Sequence, residues 1–375
     1  EEAVTYLTQA GAYAYRLSAP GEAVALYRRG LALLADLPAS SSRDHWELAL
    51  QMNLEGPLLV TQGWAAPARV VALERAYALA QQVQDVPCLL TTLYALSDLR
   101  TAEGKNRRAL ARAEQLLSLA QQVEDRGYEA LGYRMTGASH FFLGHYREAR
   151  IHLERGLACY AALRQGQDAP ATEADLERAV FLWAWLPHVL LGLGYPEQAA
   201  ARSQEALACV QPDGPVHAQA MMLTIADVSF HAMARQPSRA LRDAEDLRAL
   251  ATEHDLVGFR GWATFFCGWA RAALGAGRSA LEEMATGWED LKATNAQGSL
   301  PQLSVLLAEA YAREGEIQRS ADVLAEAHDL AVRTETSSHL AEIYRLQGEL
   351  CQAADPVQAE RLFVQAIEVA QAQEA

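Results

Sequence analysis

The chain repeats itself about every forty residues. The clearest copies read LGHYREARIHLERGLACY (143–160), LGYPEQAAARSQEALACV (193–210) and REGEIQRSADVLAEAHDLA (313–331). Aligned, they put a small residue in one column: Ala109, Ala149, Ala199, Ala240, Ala280, Ser320 and Ala359, at intervals of 40, 50, 41, 40, 40 and 39 residues. A fixed period of this size marks a stacked-repeat solenoid. Such a fold presents one long surface and is built to bind, where a compact domain would enclose a catalytic pocket.

Each copy has the same internal logic. A first helix carries a small residue about twelve positions before the marker, as at Gly11, Gly137 and Gly268. A short turn follows, often with glycine: Gly104, Gly144, Gly194, Gly275, Gly315. The second helix carries the marker, a bulkier residue four later and a small one seven later, as in Ala23/Tyr27/Gly30, Ala149/Leu153/Gly156, Ser320/Leu324/Ala327 and Ala359/Phe363/Ala366. Offsets of four and seven share one helical face. The small residues let two antiparallel helices touch, and the large one fills the space between neighbouring repeats. Turn glycines suit helix C-termini, where a left-handed residue is common.

Alanine supplies 73 of the 375 residues, which favours closely packed helices over sheet. The expectation is an all-α, right-handed solenoid of about eight or nine antiparallel helix pairs, forming a single domain over 1–375. The first pair spans about 3–38. The second, 47–84, reads as irregular, interrupted by Gly56-Pro57 and Gly63. Six more run to about 350, and the last second helix begins near Pro356. The 50-residue interval is explained by a polar insert loop, 164–175, in which Thr172 with Asp175 three later reads as a helix N-cap. Pro38–Asp44 is a second loop with capping serines. The chain opens and stops inside amphipathic helices without the polar outer face that caps a solenoid. It therefore reads as a fragment of a longer multidomain protein, prone to self-association through uncapped ends.

The net charge is -15, the sequence pI about 5.2, and only Lys105 and Lys292 are lysines. An acidic chain of this kind is poorly suited to nucleic acid or an anionic membrane, so neither is an expected direct partner. The short basic run at Lys105–Arg108 reads as a solvated helix face. The five cysteines, at least 50 residues apart, form no CxxC pair and read as reduced core residues of a cytoplasmic protein. No signal peptide is visible. The most apolar run, 179–194, is too short and too interrupted by Pro187 and His188 to span a membrane.

The alternation of small and large residues resembles the tetratricopeptide repeat. The usual period there is about 34 residues, and the longer one here implies helices longer by up to roughly two turns per pair. More specifically, ELALQMNLEGPLLVTQGWAAP (47–67), LGYPEQAAARSQEALA (193–208), FFCGWARAALGAG (265–277), LLAEAYAREGE (306–316) and HLAEIYRLQGEL (339–350) resemble the C-terminal repeat region of bacterial STAND-type ATPase signalling proteins. In that family the ATPase often accompanies an adenylate/guanylate cyclase or a DNA-binding transcriptional-activator domain. The resemblance implies a sensing or scaffolding superhelix that binds an inducer or partner protein and controls those domains. The chain itself carries no GxxxxGK[ST], HExxH or GxSxG, so no reaction or cofactor is assigned to it.

Positions near 2, 5, 9 and 12 of each first helix line the concave face of such superhelices. They project to Tyr94, Asp98, Arg134, Phe141, Trp185, His188, Ser229, Trp262, Phe265, Trp269, Glu309 and Tyr344. Aromatic rings with a few polar groups suit recognition, although repeat cores need the same rings for packing. Asp98, Arg134 and Glu309 stand out, since a charge on a first helix must face solvent or a partner. His140, His145 and His152 do not read as a metal site, because Gly144 separates the first two and the spacing is not three or four. Carboxylate pairs such as Glu282-Glu283 read as solvated faces. The partner expected is a protein, a peptide or another domain of the parent polypeptide; the alternative is a small, sugar-like inducer. An α/α-toroid enzyme is disfavoured, because the one sizeable insert offers only Glu173 and Asp175.

Overall fold

In the computed structural model the described residues are 2–17, 19–164, 182–209, 214, 216–294 and 296–375, and among them there are helices and no strand. They form nine antiparallel pairs: α1 (Glu2–Arg16) with α2 (Pro20–Ala35), α3 (Ser41–Gln62) with α4 (Pro67–Val83), α5 (Val86–Ala102) with α6 (Asn106–Gln122), and α7 (Arg126–Phe142) with α8 (Tyr146–Arg164). Next come α9 (Leu182–Gly192) with α10 (Pro196–Ala208), then α11 with α12 (Pro237–Glu253). Helix α11 is one rod of three parts: Val216–Met222, a π-helical stretch Leu223–Ser229, and Phe230–Met233. The last three pairs are α13 (Val257–Ala273) with α14 (Arg278–Ala293), α15 (Leu300–Arg313) with α16 (Ile317–Arg333), and α17 (Leu340–Cys351) with α18 (Pro356–Ala372). The expected α-solenoid is the fold observed.

The marker column is where the pairs close. Ala109, Ala149, Ala199, Ala240, Ala280, Ser320 and Ala359 are all buried. Opposite the markers several first helices carry Gly or Ser, as at Gly11, Ser97, Gly137 and Gly268, for a steric reason, while Pro187, Val228 and Ala308 hold that offset in three others. A Cβ at Gly137 would stand 2.7 Å from Leu153 Cγ, and one at Gly268 would stand 2.7 Å from the Cα of Met284. Where serine takes either place, it donates across the same contact: Ser97 Oγ to Ala109 O (3.0 Å) and Ser320 Oγ to Ala308 O (2.7 Å). A helix pair at this distance satisfies a hydroxyl within the interface itself.

The turns keep the period too. Gly104, Gly144, Gly194, Gly275 and Gly315 hold left-handed φ between first and second helices, and Arg235 (φ 58) takes the sixth place in the series. A non-glycine residue there is strained by about 1 kcal/mol or more.

One local expectation needs correction. Gly56-Pro57 does not interrupt the second pair: α3 runs unbroken through both and ends at Gly63, which has φ 88. Gly56 instead makes room for α1, since a Cβ there would stand 2.8 Å from the hydroxyl of Tyr15. In the loop before α3, Ser40 is the capping serine, accepting from Arg43 N at 3.2 Å. The insert expected at 164–175, with Thr172, Glu173 and Asp175, lies outside the described residues apart from the end of α8.

The solenoid is wound tightly enough to meet itself. Asn106, at the start of α6, donates to Thr334 O (2.9 Å) and Thr336 Oγ1 (3.0 Å), 228 and 230 residues away. The Tyr146 hydroxyl donates to Ser338 O at 2.6 Å, across 192 residues. Backbone joins the same seam: Gly298 N donates to Ala102 O (3.1 Å) and Ser337 N to Phe142 O (2.8 Å). Arg107 pairs with Glu335 and Arg147 with Glu374. Earlier in the coil the Trp64 ring lies 5.6 Å from that of Phe259 and 5.5 Å from His217. The turns of α3–α8 thus support the loops and helix ends of 217–374, so the second superhelical turn is seated on the first. At the outer ends, Tyr6 and Tyr13 of α1 and Val357, Val364 and Ile367 of α18 remain exposed.

Candidate functional site

The first helices α5, α7, α9, α11, α13, α15 and α17 carry all twelve predicted binding residues. Tyr94 and Arg134 occupy the same register in successive repeats, and the guanidinium donates to the Tyr94 hydroxyl at 2.6 Å while lying over the ring. Asp98 faces Arg69 (3.5 Å), which is buried and bonded to Glu55 at 2.7 Å. Ser229 Oγ accepts from Gln302 Nε2 at 2.8 Å. Glu309 meets Arg235 at 2.5 Å and Arg345 at 3.6 Å. Tyr344 Oη lies 3.0 Å from His328 Nε2. The three charges expected to face solvent or a partner each meet a protein partner, because stacking brings side chains of nearby repeats together.

Phe141, Trp185 and His188 form one cluster with two rings that were not predicted. Phe141 lies 5.4 Å from Trp185, 6.0 Å from His188 and 6.2 Å from His339. His188 in turn lies 6.2 Å from Phe230, and its Nε2 is 2.8 Å from Ile225 O. The cluster draws on α7, α9 and α11 of one stretch and on the start of α17 from the far side of the seam. Burial pushes His188 down to about 4 and His339 to about 3, the second lowered further by its neighbour His188. Both rings are therefore neutral near pH 7. Ser338 Oγ and His339 Nε2 are buried and have no hydrogen-bond partner within the protein.

Phe265 and Trp269 are a correction. Both are fully buried in the core that joins α13 to α14 and α15, with Met284, Trp288 and Leu303, and offer no surface. Trp262 is half-buried and stacked on Phe266 at 6.0 Å. Two shallow depressions, one lined by Arg248 and Arg271 and the other by Arg319 and Tyr311, include none of the predicted residues.

Glu309 belongs to a charged cluster beside the aromatic one, whose other members were missed. Arg235 reaches Glu309 and, at 3.3 Å, Glu342, and Arg345 holds Glu342 at 2.7 Å. Burial raises the Glu309 carboxyl, whereas Glu342, although also desolvated, is held below the usual range by its bonds to Arg345. The signal was present in the sequence: Arg235 stands in a column that is glycine at Gly104, Gly144, Gly194, Gly275 and Gly315. His140 and His145 also come together, with Nδ1 atoms 3.2 Å apart and His152 stacked on His140 at 5.5 Å. The Gly144 turn, expected to separate them, folds His145 back over the end of α7. Burial, with His152 and His145 adding to it, pushes His140 down to about 4.

The five cysteines are all free, with only Cys267 fully buried. Among the described residues no helix is long and apolar enough to cross a membrane.

No protein-family model matches the chain, and no curated protein matches it in sequence. Solved structures do. A Rap protein complexed with competence and sporulation factor superposes with a TM-score of 0.66 at 13% identity, over 100% of this chain and 99% of that one. The Rap conjugation gene regulator of plasmid pLS20, in complex with the Phr* peptide, gives 0.60 at 12% identity over 99% and 96%. The apo form of the quorum sensor NprR from B. thuringiensis gives 0.54 at 14% over 98% and 99%. At such identities the likeness is one of fold, and it is a tetratricopeptide-like α-solenoid along the whole chain.

Proposed function

We propose that the chain is a non-catalytic regulatory superhelix, one domain over 1–375, that holds a short linear peptide at its axis. The observation that carries this is the ring cluster of Phe141, Trp185, His188, Phe230 and His339, with Ser338 Oγ and His339 Nε2 buried beside it and unpaired. Buried polar atoms are almost always bonded, so two orphans at the seam suit the backbone groups of an extended peptide. The peptide would enter past the half-buried Trp185 by parting the seam, since Phe141, His188, Phe230 and His339 are buried in the closed coil. The site lies on the seam, so a ligand there would bear on how firmly the two superhelical turns hold each other. The two superpositions with the higher TM-scores are with peptide- or factor-bound proteins, which supports the same reading. A net charge of -15 favours a cationic peptide through long-range steering.

The repeat phrases that resemble STAND-type regulators support a further step. Occupancy of the superhelix would control an ATPase, cyclase or transcription-activating domain of the same cytoplasmic polypeptide. Tyr94, Arg134, Ser229, Trp262, Glu309 and Tyr344 would then line the approach to the peptide.

Thermal-shift screening tests the reading, because a ligand that binds only the folded state raises its apparent stability. Pools of synthetic cationic heptapeptides should give a hit that raises Tm, and Trp185→Ala should abolish the shift. A response confined to sugars or other metabolites would replace the peptide by a small inducer. A peptide response unchanged in Trp185→Ala would move the site elsewhere.

A further inference from the structure

The repeats allow the chain to be compared with itself. Counted from the left-handed turn residue, three positions can be matched from pair to pair: eight before, four before and eight after. In the pair built on Gly275 they are Cys267, Arg271 and Glu283, and the arginine and glutamate close a salt bridge at 2.7 Å. In the pairs built on Gly104, Gly144, Gly194 and Gly315 the first of the three is Leu96, Thr136, Leu186 and Leu307. In the pair built on Arg235 they are Asp227, His231 and Asp243. A carboxylate has entered a position otherwise apolar, hydroxyl or thiol, beside a second carboxylate, and a histidine stands where the Gly104 and Gly275 pairs carry Arg100 and Arg271.

These three side chains converge. His231 Nε2 lies 3.0 Å from Asp227 Oδ1 and 3.9 Å from Asp243 Oδ2, and one ligand atom from each lies within 4.8 Å of the other two. Asp227 and His231 are buried, Asp243 half-buried. Asp243 Oδ2 is shielded from solvent yet has no hydrogen-bond donor, and His231 Nδ1 is buried without a partner. Asp227 is presented from the π-helical stretch 223–229, a distortion that recurs at functional sites. Burial and the neighbouring Asp227 raise the Asp243 carboxyl despite the nearby His231, Arg239 and Arg242.

We infer that Asp227, His231 and Asp243 form a binding site for a first-row divalent cation, with Zn2+ as the representative ion. Two carboxylate oxygens and one imidazole nitrogen are the donor set such ions take. Tetrahedral bonds of about 2.0–2.2 Å put donors about 3.3–3.6 Å apart, so small side-chain movements bring the observed separations to that value. The cation balances the extra carboxylate and satisfies Asp243 Oδ2 at once. A fourth position on the Asp243 side remains for water. The site joins α11 to α12, next to Phe230 of the axial ring cluster (5.1 Å between the Phe230 and His231 rings), and so staples the pair that presents Arg235. It does not depend on the peptide reading.

Titration calorimetry of the tag-free full chain with ZnCl2 at pH 7.5 tests it. One site per chain is expected, weakened at least a hundredfold by Asp243→Asn and by His231→Gln. Asp243→Asn removes a buried repulsion and should fold at least as well as the parent in the absence of metal, as circular dichroism would show. His145→Ala removes the competing His140–His145 pair and should leave the affinity unchanged. The inference is overturned if the parent binds none of Zn2+, Co2+ or Mn2+, if Asp243→Asn binds as tightly, or if His145→Ala abolishes binding.

Discussion

Gly268→Leu should destabilise the chain by at least the about 1–3 kcal/mol that over-packing a core costs. The contact it disturbs is backbone against backbone: a Cβ at Gly268 stands 2.7 Å from Met284 Cα and 2.8 Å from Ala280 O. No rotamer relieves such a clash, so α13 and α14 must separate, and with them the core of Phe265, Trp269, Met284 and Trp288. Gly258, in the first turn of the same helix, provides the opposite sign. Nothing lies within 4 Å of a Cβ there, and Gly258→Ala should stabilise by about 0.5–1 kcal/mol through helix propensity alone. Gly137→Leu and Ala149→Leu should follow Gly268, each costing about 1–3 kcal/mol. Urea denaturation measures all four, and an unchanged midpoint for Gly268→Leu would mean the small-residue column does not set the helix spacing.

The second large effect is on pH. His188, pushed down to about 4, and His339, pushed down to about 3, sit at the seam. Each is surrounded from several elements: His188 by the Ile225 carbonyl, Phe141, Trp185 and Phe230, and His339 by His188, Phe141 and Glu342. Below pH 6.5 the unfolded chain binds protons that these folded rings refuse. Stability is therefore complete above about pH 6.5 and is lost as pH falls toward 4. Each fully buried ring contributes on the order of 3 kcal/mol over that window. Asp243, raised to about 6 mainly by burial and also by Asp227, acts in the opposite sense as it protonates, and offsets part of the loss. Denaturation midpoints should drop steeply between pH 6.5 and 4, and His339→Gln should flatten the slope. A midpoint constant from pH 7 to 4.5 would show the rings free to charge, hence solvated and the seam open.

The repeat, the small-residue column and the turn glycines were legible because each is local. Ala149 sees Gly137 through one helix pair, and that contact is encoded in a spacing of twelve residues. The same spacing led to the wrong expectation at Phe265 and Trp269, since a first-helix register alone does not separate the inner wall from the core between repeats. The seam was not legible. Asn106 meets Thr334 only because a small rotation per repeat accumulates over more than five repeats, and no local pattern states that angle. The aromatic cluster was half visible for the same reason: Phe141, Trp185 and His188 follow the repeat, whereas His339 reaches them from the next superhelical turn. Arg235 and the Asp227–His231–Asp243 group needed a different comparison, in which each repeat is read for what it changes.

Everything said of the axial site rests on the second superhelical turn being seated on the first. Two loop amides report this directly: Gly298 N–H bonds to Ala102 O and Ser337 N–H to Phe142 O, both across the seam and neither within a helix. Hydrogen exchange of the full chain at pH 7 should find these two amides protected to the degree of helix interiors. Exchange at both sites as fast as in an exposed loop, while α7 and α15 remain protected, would contradict the closed coil.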